Sequence, residues 1–400
     1  MRRERKNPEN KCFDSISGVK ESKTDSWNFE NMKVDSIYCA YPRAQYLHYK
    51  EPIDRAIAAT LESGRYILGE EVVNFEKEFA DYTGASHCIT VGNGTDAIEL
   101  ALRALEIGPG DEVITVAHTA VATVAAIELC GATPILVDID PLTYTISATG
   151  VREAITTRTK AVIAVHIYGQ AADIPGLQEA IKGTKIALVE DCAQSHGAKL
   201  NGKRLGTYGI LSCFSFYPTK NLGALGDGGA VLTSDNRLAE RVKHLREYGW
   251  KERYISHIAG CNSRLDELQA AILRVKLKGL DEDNILRKSI AARYSAELPN
   301  CFMRPTIREG AEHVYHLYVC RLDERDKFIK FAEERSVFPL VHYPVPIHLQ
   351  PAYHQRVRCK EMRETEKAAK SIVSLPMYPE LSPDAVSRVI DIAHEFATLM

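Results

Sequence analysis

Lys220 follows Phe214 and Phe216 and precedes the glycine-rich stretch Gly223 to Gly229. An ammonium drawn out of water loses its preference for the charged form and becomes an amine nucleophile, able to form a Schiff base with an aldehyde. Asp191 closes the apolar run Ile186 to Val189, within Val189-Glu190-Asp191-Cys192-Ala193-Gln194-Ser195-His196. A buried carboxylate facing a ring nitrogen keeps that nitrogen protonated, the state in which a pyridine ring withdraws electrons best. Alone, an aspartate at a strand end is usually a turn residue and a lysine usually a surface charge. As a pair they predict pyridoxal phosphate. Lys220 would hold the cofactor's aldehyde carbon and become a general base once an amino substrate displaces it, and Gln194 would give its amide to the ring hydroxyl.

A third constellation, Cys88 to Leu102, reads as strand, tight turn and helix. Gly92 and Gly94 let the backbone bend, and the free N–H groups at the start of the helix, around Gly94 and Thr95, suit an anion. With Ser215 they form a candidate phosphate cradle. An ordinary helix entry capped by Thr95 is the plainer alternative. A rival is also open, because Gly92-x-Gly94-x-x-Ala97 formally satisfies the dinucleotide fingerprint of a nicotinamide-dependent dehydrogenase. The acid needed about 20 residues onward has no clear candidate, since Asp111 and Glu112 precede the strand Val113 to Val116.

These segments resemble the DegT/DnrJ/StrS sugar aminotransferases, which share the aspartate-aminotransferase-like fold. The resemblance runs from Ala44-Gln45-Tyr46 to Ser374-Leu375-Pro376. It includes Gly69-Glu70-Glu71-Val72, Gly108-Pro109-Gly110-Asp111-Glu112-Val113, Val137-Asp138-Ile139-Asp140 and Asn262-Ser263-Arg264-Leu265-Asp266-Glu267. It implies that Lys220 binds the cofactor covalently, that Asp191 partners the ring nitrogen and that Gln194 contacts the ring hydroxyl. It further implies that Gly94, Thr95 and Ser215 hold the phosphate. Asn262 would reach the phosphate of the neighbouring subunit's cofactor, so the resemblance implies a homodimer with shared active sites. Read from its own surroundings alone, Asn262 is a helix-entry residue, because Ser263-x-x-Asp266 looks like a cap before the stripe Leu265, Leu268, Ile272, Val275.

The chain departs from the pattern at Ala120, where many relatives carry an aromatic that stacks on the cofactor ring. His118 is the candidate replacement, against a plain core or solvent-facing histidine. Retention of Lys220 argues against the dehydratase relatives that carry histidine there. His342 and Tyr343, in a stiff loop with Pro344, Pro346 and Pro351, match the loop that contributes substrate contacts in relatives acting on 3-oxo sugar nucleotides. The spacing of His342, His348 and His354 has no compact ligand cluster around it, so no metal is expected. The implied reaction moves an amino group from an amino acid, most plausibly glutamate, to a nucleotide-linked 3-oxo-deoxyhexose in amino sugar biosynthesis. A cyclitol aminotransferase, the dehydrogenase and a non-catalytic regulatory relative are the alternatives.

Four hundred residues with 45% hydrophobic content suffice for a large domain and a smaller one. A net charge of −3 gives no reason to expect nucleic-acid or membrane binding. Ten scattered cysteines without a C-x-x-C pair favour a reducing cytoplasm. The start, Met1-Arg2-Arg3-Glu4-Arg5, is too polar to read as a signal peptide, so none is expected, and no apolar run is long enough to span a bilayer. Strand-like runs at Ile89, Val113, Ile135, Ala161, Ile186, Leu211 and Ala230 alternate with helical patterns. The expected class is therefore α/β, a mainly parallel sheet flanked by helices and, by the resemblance, fold type I of the pyridoxal-phosphate transferases. Residues 1–36 are expected to form a loose extension, 37–280 the large cofactor-binding domain and 281–400 a smaller α+β domain.

Overall fold

The computed structural model describes residues 36–400, so the expected N-terminal extension falls, apart from Ser36, outside the described residues. Eight strands form the central sheet: β1 His87–Val91, β2 Glu112–Val116, β3 Thr133–Val137, β4 Thr159–Val165, β5 Ala187–Asp191, β6 Leu211–Ser215, β7 Gly229–Thr233 and β8 Arg358–Cys359. Their spatial order is β8-β3-β2-β4-β5-β6-β7-β1. Neighbours from β8 to β6 run parallel, whereas β7 is antiparallel to both β6 and β1. The seven apolar runs expected to be strands correspond to β1 to β7, with Ile186 one residue ahead of its strand. Residues such as Val113, Ile163, Val189 and Leu211 are fully buried, as helices on both faces of a parallel sheet require.

Two helices seat the strands that reach the cleft. The helix Glu70–Thr83 presents Phe75 and Phe79 edge-on to Phe216 and Phe214, with ring centroids 5.3 and 5.0 Å apart. These aromatic contacts hold the end of β6, from which the Lys220 loop departs. The helix ends at Gly84 in the left-handed conformation, φ 85°, where a side chain would be strained. On the same sheet, the helix Gly94–Ala104 lies across β6 and β7.

A second core gathers Tyr294 from the helix Leu280–Glu297, Phe328 from Arg325–Glu333 and Val389 from Pro383–Ala397 against the antiparallel strand pair Tyr318–Arg321 and Ile372–Leu375. The expected start at Ser382-Pro383 is present: the Ser382 hydroxyl accepts from Ala385 N at 3.1 Å, and proline occupies the first turn. Ile37–Tyr38 joins this group by pairing in parallel with Val337–Phe338. Between these elements the chain returns to the large sheet, where Ile347, Val357 and Met362 pack with Ala117, Val124 and Leu136. There the short β8 pairs with β3, and Arg358 donates to the buried Glu112 carboxylate at 3.1 Å. No described helix is long and apolar enough to cross a membrane.

Candidate active site

The carboxyl ends of β1, β2, β4, β5 and β6 open on one edge of the sheet, the edge where ligands bind in open α/β folds. Asp191 is the last residue of β5 and Ser215 the last of β6. Gly229 lies in register with both Val91 and Ser215, which draws the glycine turn onto the end of β6. The approach is very close: a Cβ on Gly94 would lie 2.6 Å from Ser215 Cβ, and one on Gly229 would lie 2.3 Å from Asn93 O. Only glycine fits at these two positions.

The helix Gly94–Ala104 is capped by Asn93, whose side chain accepts from Asp96 N at 2.9 Å. Thr95 is therefore not the cap. Gly94 and Thr95 keep N–H groups without partners among the described residues, beside the Ser215 hydroxyl. That donor set fits a phosphate at a helix N-terminus. Ser263 also does something other than cap the following helix. Its hydroxyl accepts from Gly92 N at 2.9 Å and donates to Asp96 at 2.5 Å, tethering the glycine turn, while Asp266 flanks the helix Glu267–Leu277 without a side-chain capping bond. Asn262 is exposed, and its side chain has no hydrogen bond among the described residues.

Asp191 is 5% exposed and accepts from Ala193 N at 3.1 Å and from the Thr123 hydroxyl at 2.9 Å. Burial pushes its pKa up, and these two donors only partly offset that. Among the described residues it has no ion pair. A buried carboxylate of this kind fits a protonated ring nitrogen, which would supply the missing cation. Lys220 keeps part of its surface open to the cleft. Burial of its amine lowers the pKa to about 8, and the Asp191 charge acts in the opposite direction. The loop behind it is fixed: Asn221 donates to Asn284 Oδ1 at 2.8 Å and to Val314 O at 3.1 Å, and Lys276 donates to Gly223 O at 2.7 Å.

Gln194 accepts from Tyr168 N at 2.6 Å and donates to the Tyr343 hydroxyl at 3.1 Å. The loop expected to contact substrate thus meets the residues expected to hold the cofactor. Burial, with the Asp191 charge, pushes the Tyr343 phenol up to about 12 despite the Gln194 bond. His342 shares a hydrogen bond with Ser374 Oγ at 2.8 Å, and burial, with the Lys220 charge, lowers it to about 4. His348 and His354 turn to other partners, Glu366 at 3.1 Å and Pro351 O at 3.2 Å.

His118 does not take the ring-covering role considered for it. It is 1% exposed, packed against Tyr144 and hydrogen-bonded to the Tyr168 hydroxyl at 2.6 Å, so almost no imidazole surface is open to the cleft. The dinucleotide reading also meets a topological obstacle. β1 is an edge strand paired only with the antiparallel β7, whereas that fingerprint belongs to adjacent parallel strands of a βαβ unit. Thr123, Tyr168 and Lys276 were not singled out in the sequence. A signal existed for Tyr168 alone, a Tyr-Gly-Gln turn that begins three residues after the end of the apolar strand β4.

The model of the DegT/DnrJ/EryC1/StrS aminotransferase family matches residues 48–394. A dTDP-3-amino-3,6-dideoxy-alpha-D-galactopyranose transaminase of Aneurinibacillus thermoaerophilus is 46% identical, over 88% of this chain and 96% of that protein. A protein of Geobacillus stearothermophilus named a pleiotropic regulatory protein is 43% identical, over 88% and 96%. The solved structure of NtdA from Bacillus subtilis with bound cofactor PMP superposes with a TM-score of 0.85 at 30% identity, covering 92% of this chain and 86% of that one. From the glycine turn to the Asp191 and Lys220 strand ends, and over nearly its whole described length, this chain belongs to the DegT/DnrJ/EryC1/StrS aminotransferase family.

Proposed function

We propose that this chain is a pyridoxal-phosphate aminotransferase that moves an amino group from an amino acid, glutamate first among them, to the 3-keto carbon of a nucleotide-linked deoxyhexose. The observation that carries the reading is the buried Asp191, without an ion pair among the described residues, in the same cleft as a lysine whose pKa is lowered to about 8. The family, the 3-amino sugar named for the Aneurinibacillus relative and the cofactor named for NtdA support it.

Gly94 and Thr95 N–H groups and the Ser215 hydroxyl would hold the phosphate, Gln194 the ring hydroxyl and Asp191 the proton on the ring nitrogen. Pyridoxal phosphate, when bound, supplies the electron sink that stabilises negative charge at the donor's α-carbon. Lys220, freed as an amine, would take the proton from that carbon and deliver it to the carbon on the other side of the transferred nitrogen, two atoms away. A pKa near the working pH suits it to both tasks. Neutral His342 and protonated Tyr343 offer the acceptor hydrogen-bonding groups without a competing charge.

Asn262, exposed and with no side-chain hydrogen bond among the described residues, is assigned to the phosphate of a second subunit, in a homodimer with shared sites. The hairpin of Trp250–Glu252 and Ile255–Ser256 packs Trp250 against Tyr248 and Tyr254 and sets Arg253 over the Tyr254 ring, aromatic and cationic groups suited to a nucleotide. We place the enzyme in the cytoplasm and divide it near residue 280, where the helix Leu280–Glu297 enters the second core.

The test is the visible spectrum of the purified protein before and after glutamate, followed by a panel of 3-oxo and 4-oxo sugar nucleotides. A visible cofactor band that bleaches with glutamate and returns with a 3-oxo acceptor is the expected result. No band after reconstitution with pyridoxal phosphate overturns the mechanism and favours a binding protein that kept the fold, the reading that the name of the Geobacillus relative suggests.

A further inference from the structure

Tyr168 lies in the turn after β4, 3% exposed, with its backbone in the left-handed region at φ 63°. Its N–H fixes the Gln194 amide by donating to Oε1 at 2.6 Å, which leaves Nε2 for the Tyr343 hydroxyl. Its own hydroxyl meets two groups, the carbonyl oxygen of His342 and His118 Nε2. A carbonyl can only accept, so the single phenol proton goes to His342 O and the imidazole must be the donor. His118 is therefore the Nε2–H tautomer. Its Nδ1 then carries a lone pair, and that atom is buried without a hydrogen-bond partner among the described residues. Burial lowers the imidazole to about 4, so the arrangement persists at neutral pH. The Tyr144 ring, 6.0 Å from both His118 and Tyr168, closes the cluster.

We propose that Tyr168, oriented by His118, is a positioning residue that latches the loop bearing His342 and Tyr343 at the cleft and thereby sets the affinity for the keto acceptor. The inference rests on the proposed function for the identity of that acceptor. Two different parts of the residue make the two connections: the hydroxyl holds the backbone of the substrate loop, and the N–H holds Gln194. Removing the hydroxyl loosens the loop backbone, which keeps only the His342–Ser374 and Tyr343–Gln194 side-chain bonds at these two residues, while leaving Gln194, Asp191 and Lys220 in place. Donor and acceptor half-reactions should then respond differently, which general loosening of the fold would not produce.

The experiment compares Tyr168→Phe with wild type as holoenzymes, using Tyr144→Phe as a control that removes a neighbouring hydroxyl with no bond to the loop. Amide hydrogen exchange over residues 341–345 should accelerate about tenfold in Tyr168→Phe, the worth of one hydrogen bond. KM for the 3-oxo acceptor should rise by about the same factor, with the glutamate half-reaction and the melting temperature unchanged. Tyr144→Phe should match wild type throughout. Unchanged exchange in Tyr168→Phe overturns the latch, and so does an equal loss in both half-reactions together with a lower melting temperature. If wild type turns over no keto sugar nucleotide, the proposed function fails, yet the exchange comparison still decides the latch.

Discussion

At the scale of single residues, Asp191 and Lys220 form one electrostatic unit. Burial lowers Lys220 from 10.5 to about 8, while the Asp191 charge pulls it upward. Below about pH 8 the amine is mostly protonated and unreactive toward an aldehyde; above it the amine is free. Cofactor uptake by the apo-protein should therefore speed up with pH and level off just above 8, where an ordinary lysine would keep gaining toward 10.5. The growth rate of the visible band between roughly pH 6.5 and 9.5 measures this directly. Asp191→Asn removes the upward pull, so its uptake profile should shift to lower pH. The same variant loses the charge facing the ring nitrogen, and kcat should fall about a hundredfold, the value of a charge-assisted hydrogen bond of about 3 kcal/mol. A profile and kcat that match wild type would sever the link between the two residues. Both were legible in the sequence because each is a charge at the edge of an apolar run. Thr123 and Lys276 were not. Thr123 meets Asp191 only because β2 and β5 belong to one sheet. Lys276 reads as an ordinary surface cation between Arg274 and Lys278, and its burial depends on Gln45 and Gly223, 231 and 53 positions away.

At the scale of elements, the glycine turn and the end of β6 behave as one piece. A Cβ on Gly94 would meet Ser215 Cβ, which sits on a strand fixed by register to Gly229 and cannot swing aside. Gly94→Ala should cost about 1–3 kcal/mol of stability from overpacking. It should also weaken pyridoxal phosphate binding, since the displaced atoms are the expected phosphate donors. Titration of the apo-variant with cofactor and a thermal melt test this, and wild-type affinity would mean that the phosphate lies elsewhere. Strands β1 to β7 could be read from the sequence because strands buried on both faces are continuous apolar runs. β8 could not: Arg358-Cys359 has no such pattern, and its place depends on β3 and Glu112, more than two hundred residues earlier. Two capping assignments failed for a related reason. Thr95 and Ser263 have the right residue types, but Asn93, two residues before Thr95, is the one placed to accept from Asp96 N, and Ser263 is drawn across to Gly92 and Asp96. Local sequence offers capping candidates, and contacts from distant elements select among them.

At the scale of the whole molecule, the Asn262 side chain is left without a hydrogen bond among the described residues. Asn262 is exposed next to Ser263, which grips the glycine turn, so a second subunit covering this face would bring Asn262 beside a cofactor phosphate that is not its own. Subunit mixing separates this arrangement from a role within one chain. Lys220→Ala should abolish the site in its own chain, and in a dimer with shared sites Asn262→Ala would damage the site in the partner. In a heterodimer of the two variants, one site carries both defects. The other combines an intact Lys220 with an intact Asn262. Random exchange of equal amounts makes half of the dimers heterodimers, each with one sound site, so the mixture should approach about a quarter of wild-type activity. Were Asn262 to serve its own chain, every site would keep at least one defect. The mixture would then do no better than the average of its parents. Activity above that average, appearing only after subunits are dissociated and reassociated, requires that the site be completed across an interface. Its absence, with heterodimers verified by mass, would return Asn262 to the plainer role of a residue at the entry to a helix.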